Sequence, residues 1–98
     1  MTPSVSFAPE AREELFEAAD YYELESRGLG ASFLATVDRA LEQLTAFPKS
    51  SPIARGTARI KSLPRFPYSL IYSLRPDQIR ILAVMNQKRR PFYWWGRE

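Results

Sequence analysis

The chain has 98 residues, 45% of them apolar and 13% aromatic, which is enough to build one compact core and leaves no room for a second domain. With neither cysteine nor histidine, it offers no disulfide framework, no thiolate or imidazole metal site and no histidine general base, so metal-dependent and His-assisted catalysis are set aside and no cofactor is expected. The net charge of +3 is unevenly spread: residues 1–48 carry three basic residues (Arg12, Arg27, Arg39) against nine acidic ones, whereas residues 49–98 carry eleven basic ones against two, Asp77 and Glu98. Such a division leaves two readings open. An acidic helix face and a basic sheet rim can simply be solvated or paired with each other, or the basic half can attract an anionic partner, either nucleic acid or an acidic protein segment. The N-terminus lacks a basic segment followed by an apolar stretch, and no run approaches the roughly 18 apolar residues of a membrane span. A soluble, cytoplasmic protein is therefore expected.

Val5 and Phe7 alternate with polar residues in a short strand closed by Pro9, which suits the first turn of a helix because its missing N–H is not needed there. Glu10, Glu13 and Glu14 are placed in that opening turn, where the helix dipole favours negative charge, while Ala8 is a poor N-cap. Ala11, Leu15, Ala18, Ala19 and Tyr22 form an apolar stripe on a helix running to about Ser26, which Gly28 and Gly30 break. A second stripe, Phe33, Val37, Ala40, Leu41 and Leu44, runs to Phe47, where Pro48 ends it, and the short glycine turn makes the two helices antiparallel. Residues 48–57 read as a surface loop, after which the period changes to two. Ala58–Leu63 is a short strand with Arg59 and Lys61 on one face and Ile60 on the other. Tyr68, Leu70, Tyr72 and Leu74 alternate with Ser69, Ile71 and Ser73. Beyond a turn at Pro76 and Asp77, Ile79, Ile81, Ala83 and Met85 alternate with Arg80, Leu82, Val84 and Asn86. Leu82 and Val84 make the second face of this last strand apolar too, so it is expected to be central and buried on both sides. The reading is α+β: a short N-terminal strand and an antiparallel helical hairpin packed on a small antiparallel sheet, as a single domain over residues 1–98.

Four runs in order, ADYYELESRGLGASF, LTAFP, IKSLPRFPYSLIYSL and IRILAVMNQKRRPFYW, resemble toxins of the RelE/ParE superfamily of bacterial type II toxin–antitoxin modules, and more closely its ParE-like, plasmid-stabilisation branch. The likeness spans about Ala8 to Trp94, and the fold it implies agrees with the one read from periodicity. One departure is Asn86, where relatives often place a histidine. The resemblance implies two different activities. RelE-like members are ribosome-dependent mRNA endonucleases; ParE-like members inhibit DNA gyrase without a known active site of their own. RNA cleavage needs a base for the 2′-OH, a cation for the phosphate and an acid for the leaving oxygen. By residue type Lys61, Arg65, Arg89 and Tyr93 can fill these roles, but the same residues also serve as sheet-rim cations and tail packing, and Lys and Tyr act as bases near neutrality only after large pKa shifts. The gyrase-inhibiting reading is adopted, with the ribosome-dependent mRNA endonuclease as the alternative.

The resemblance further implies a small antitoxin with an acidic C-terminal segment, drawn to a rim formed by Arg59, Lys61, Arg65, Arg80, Lys88, Arg89 and Arg90. Phe16 and Tyr21, off the helical stripe, are candidates for contact with a partner, as are Tyr93 and Trp95 in the tail. A plain nucleic-acid-binding module is the remaining reading, because Lys88, Arg89 and Arg90 stand beside Phe92, Tyr93, Trp94 and Trp95. Four adjacent aromatics cannot all face one way, so part of the set should dock on the sheet. By family position that part is Tyr93 and Trp94, with Trp95 more exposed.

Overall fold

The structure, a computed structural model, describes residues 2–97; Glu98, the second acid of the basic half, lies outside the described residues. In chain order the elements are β1 (Ser4–Phe7), α1 (Pro9–Glu25), α2 (Leu29–Ala46), β2 (Ile53–Arg55), β3 (Ala58–Ser62), β4 (Tyr68–Arg75) and β5 (Gln78–Asn86). They form one five-stranded sheet in the order β1-β5-β4-β3-β2 with the helical hairpin on one face, so the class is α+β. Strands β2 to β5 pair antiparallel, but β1 runs parallel to β5, which makes the sheet mixed. The reason lies in connectivity: two whole helices separate β1 from the other strands, the long crossover that parallel pairing needs. As expected, β5 is central, lying between β1 and β4.

Local chemistry sets the element boundaries. Pro9 opens α1, and Ala8, which offers no side-chain cap, is held instead by its N–H donating to the Ile81 carbonyl at 2.8 Å, one step beyond the β1–β5 ladder. Of the three glutamates placed in the opening turn, only Glu10 lies there; Glu13 and Glu14 fall in the next turn. Gly28 sits in the turn between the helices, but Gly30 lies inside α2 rather than breaking a helix. A Cβ on Gly30 would meet the Ala19 carbonyl oxygen at 2.5 Å, so this glycine is what lets the two helices approach so closely. The Glu23 carboxylate then caps α2 from the neighbouring helix, accepting from the Gly28 N–H (3.0 Å) and the Gly30 N–H (3.0 Å).

The helix-facing core joins Ala11, Ala18 and Ala19 of α1 and Phe33, Val37, Ala40 and Leu44 of α2 to Leu70, Tyr72, Ile79, Ile81 and Val84 of the sheet. Phe33 stacks edge to face on Phe66 and Tyr68, ring centroids 5.2 Å apart in each pair, and the buried Tyr72 hydroxyl donates to the Pro48 carbonyl at 2.8 Å. The opposite face carries a smaller cluster of Ala58, Ile71, Leu82, Ala83 and Trp94, with Ala54, Ile60, Met85 and Tyr93 packed around it.

Two expectations change here. Residues 48–57 are not all loop, since Ile53–Arg55 form an edge strand on β3; three residues between Pro52 and Gly56 are too short to show a period. In β5 the simple alternation fails at a bulge. Tyr72 pairs with Ile81 and Ile71 with Ala83, leaving Leu82 unpaired, so Leu82 and Ala83 share the second face while Val84 returns to the helix side with Ile79 and Ile81.

Candidate functional site

Strand β1 is shorter than β5 and stops pairing at Ile81, which leaves the edge of β5 open from Leu82 to Asn86. Side chains take over there. The Glu14 carboxylate, on α1, accepts from the Val84 N–H (Oε1, 3.1 Å) and the Tyr93 hydroxyl (Oε2, 2.7 Å), and it pairs with the Arg97 guanidinium at 2.9 Å. Arg97 also donates to the Leu82 carbonyl at 3.0 Å. Both members of the ion pair are largely shielded from solvent, and among the described residues this is the one ion pair of the molecule. The C-terminal tail is thereby tied to the first helix across the open strand edge.

Burial, reinforced by the hydrogen bond and charge of Glu14, pushes the Tyr93 phenol well above its ordinary value. For Arg97, burial works against the charge, and the hydrogen bond and charge of Glu14 more than restore it, so its pKa is raised. Arg89 and Arg97 stack over the Tyr93 ring at 4.0 and 4.9 Å from its centroid.

The tail occupies the sheet face that the helices leave open. Trp94 is buried at its centre, 2% exposed, while Trp95 and Phe92 are half exposed and Tyr93 is partly buried. A groove of about 460 Å³ runs between α1 and the free edge of β5, lined by Glu14, Glu17, Tyr21, Tyr68, Lys88 and Arg89 among others. It therefore carries both signs of charge. Tyr21 and Phe16 lie exposed on α1, together with Leu24, which sequence reasoning missed although it follows Tyr21 by three residues.

The basic residues singled out in the sequence do not form one rim. Arg59 donates to the Ser51 carbonyl (2.7 Å) and the Lys49 carbonyl (3.2 Å), and Arg80 to the Phe7 carbonyl (3.0 Å) and Ser6 Oγ (3.2 Å). These two guanidiniums satisfy loop and strand oxygens that would otherwise lack a donor. Arg65, in the β3–β4 turn, donates to Ser32 Oγ of α2 at 3.0 Å. Lys61 pairs across from Leu70 on the helix side of β3 and is partly buried. Lys88, Arg89 and Arg90 follow β5 and are exposed.

The four candidates for RNA cleavage are accordingly scattered. Arg89 and Tyr93 are in contact, but Lys61 stands two strand positions from β5, roughly 10 Å away, and on the opposite face from the tail. Among the described residues no group of acidic side chains is arranged to hold a metal ion, and no helix is long and apolar enough to cross a membrane. Sequence reasoning missed Glu14, Arg97 and Arg55; their roles depend on contacts 15 to 83 residues apart in the chain or on an edge strand it did not foresee, and no local pattern announces them.

The profile of the ParE toxin of type II toxin–antitoxin systems matches residues 5–91, nearly the whole of the fold just described. The chain belongs to the ParE toxin family. Among curated proteins, none matches this ParE-family sequence. Among solved structures, it is similar to a chain of the chromosomal ParDE toxin–antitoxin system from P. aeruginosa at 20% identity and a TM-score of 0.62, covering 87% of the present chain and 96% of the other. At that identity the likeness speaks for a shared fold. The matched region ends before Phe92, so the tail cluster of Trp94, Trp95 and Arg97 lies outside the family profile.

Proposed function

We propose that this ParE-family chain is a single-domain toxin that arrests growth by poisoning DNA gyrase in the cytoplasm, with no active site of its own. The observation that carries this reading over the ribosome-dependent endonuclease is the dispersal of the candidate catalytic groups. Tyr93, the natural proton donor or acceptor of such a set, gives its hydroxyl to Glu14 and holds its proton more firmly than free tyrosine, while Lys61 faces the other side of the sheet. Acid, base and phosphate-stabilising cation must reach one scissile bond together, and these side chains do not converge.

Induction of the protein in bacteria tests the choice. Lost supercoiling or gyrase-linked DNA breaks with intact transcripts are expected; codon-positioned cuts in ribosome-bound mRNA that disappear in Lys61→Ala or Tyr93→Phe would install the endonuclease instead.

The neutralising partner we infer is a small antitoxin with an acidic C-terminal segment that orders on binding. The exposed cations Lys88, Arg89 and Arg90 and the exposed Phe16, Tyr21 and Leu24 supply the charge and apolar area for it. An interface on the order of 2,000 Å² is expected, as for other obligate pairs. Arg59 and Arg80 contribute less, because their guanidiniums already serve the chain's own carbonyls.

A further inference from the structure

The tail does more than plug the sheet. Phe92 and Trp95 each meet the buried Trp94 edge to face, centroids 5.9 Å apart in both pairs, so both lean on a ring that is itself packed in the sheet face. Trp95 also leans on the β2–β3 turn, where a Cβ added to Gly56 would come within 2.9 Å of its ring. Both outer rings nevertheless keep about half their surface in solvent, 43% for Phe92 and 51% for Trp95. The Arg55 guanidinium lies over both, 4.2 Å from the Trp95 centroid and 5.1 Å from that of Phe92. Hollows of about 390 and 190 Å³ flank the rings, one lined by Arg75 and Arg97 and the other by Arg89, and among the described residues neither has an acidic lining residue.

We propose that Arg55, Phe92 and Trp95 form a platform for single-stranded nucleic acid, with the phosphates drawn to Arg75 and Arg89 on either side. The inference goes beyond the gyrase reading and does not depend on it. Among the described residues Arg55 has no ion-pair partner, and stacking on rings does not neutralise it, so the face attracts a polyanion. The rings then select among polyanions. An aromatic face is the negative part of its quadrupole and gives a carboxylate side chain nothing to stack on, whereas a nucleobase stacks on rings and on guanidinium planes alike. A duplex keeps its base faces inside its own stack and cannot use the rings, which leaves the single strand.

The test uses the purified full-length chain, a labelled oligothymidylate, a duplex of equal length and polyglutamate as competitor. Binding followed by anisotropy and by tryptophan quenching should favour the single strand over the duplex by about tenfold, and should weaken with added salt as counterions are released. Trp95→Ala and Arg55→Ala should each cost about tenfold in affinity, a typical loss for one stacking contact. Trp95→Ala should also abolish the quenching, because Trp94 is shielded. Arg55→Lys keeps the charge but loses the plane, so its salt dependence should match the wild type while its affinity falls. Equal binding of duplex and single strand, displacement by polyglutamate at matched charge, or wild-type affinity in Arg55→Lys and Trp95→Ala would overturn the proposal. Growth arrest plays no part in these readouts, so a negative result leaves the gyrase reading standing.

Discussion

The helix-covered face of the sheet spreads its burial over fifteen residues drawn from both helices, strands β4 and β5 and the segments that precede α1 and join β3 to β4, whereas the tail-covered face rests on five, of which Trp94 is the only aromatic one. On the first face the loss of one side chain leaves many neighbours in place. On the second, one ring is the centre of the cluster and also positions Phe92 and Trp95 at the surface. The helix face thus distributes its stability over many residues, while the tail face couples a small core directly to exposed chemistry.

The sharpest way to break this contrast is truncation at each centre. Trp94→Ala and Phe33→Ala should both cost roughly 3 to 5 kcal/mol in thermal or denaturant melts, the usual range for a buried aromatic. Only Trp94→Ala should also free the tail, seen as rapid proteolysis after residue 90 while the helices still melt cooperatively. Equal, small losses from Trp94→Ala and Trp95→Ala would show that the tail is not docked. Next in size is Glu14→Ala, which strands the Val84 N–H, the Tyr93 hydroxyl and Arg97 at once; about 2 to 3 kcal/mol is expected. A double-mutant cycle with Arg97→Ala should show clear coupling, and additive losses would mean that the ion pair does not hold the tail.

A smaller effect follows from pH. Folding raises the Tyr93 pKa, so the folded chain binds that proton more tightly than the unfolded one. The corresponding stability is complete below the ordinary tyrosine value of 10.0 and is lost as the pH rises above it. Melts between neutral and strongly alkaline pH should fall less steeply in Tyr93→Phe than in the wild type; parallel curves would remove Tyr93 from the account. Smallest of all on stability is the Arg89→Ala, Arg90→Ala double change, expected to cost under about 1 kcal/mol because both side chains are exposed. Its effect should appear instead as reduced toxicity or weaker antitoxin binding, and a fully toxic variant with unchanged partner affinity would return these arginines to plain solvated surface.

How much of this was legible beforehand follows the range of the interactions. The helices were readable because stripes such as Phe33, Val37, Ala40 and Leu44 repeat locally, and β4 because Leu70 and Tyr72 keep strict alternation. The parallel β1–β5 pairing was not, since it joins Val5 to Ile79 through a crossover that no local pattern encodes. Strand β2 was too short to show a period. At the site, the aromatics of the tail were conspicuous by type; that only part of them could dock followed from geometry, and which part came from the family resemblance. The residue that anchors them to α1 was not: Glu14 reads as one more acid on a helix until the fold brings Arg97, 83 residues away, against it. Arg59 and Arg80 misled for the same reason, as a cation in a sequence does not reveal which carbonyl oxygen it will serve.

The bulge at Leu82 has the character of an insertion. If that residue were deleted, Ile79 and Ile81 would still face the helices, Ala83 and Met85 the tail, and Val84 the helices again, since the face pattern of β5 is regular on either side of it. The inside-outside logic of the strand has no use for Leu82. What the extra residue adds is a carbonyl turned out of the ladder, taken by Arg97, and a side chain that widens the apolar bed beneath Trp94. A sheet of this design accepts a new covering segment at the cost of one residue in its central strand, and the rest of the core need not be rewritten to receive it.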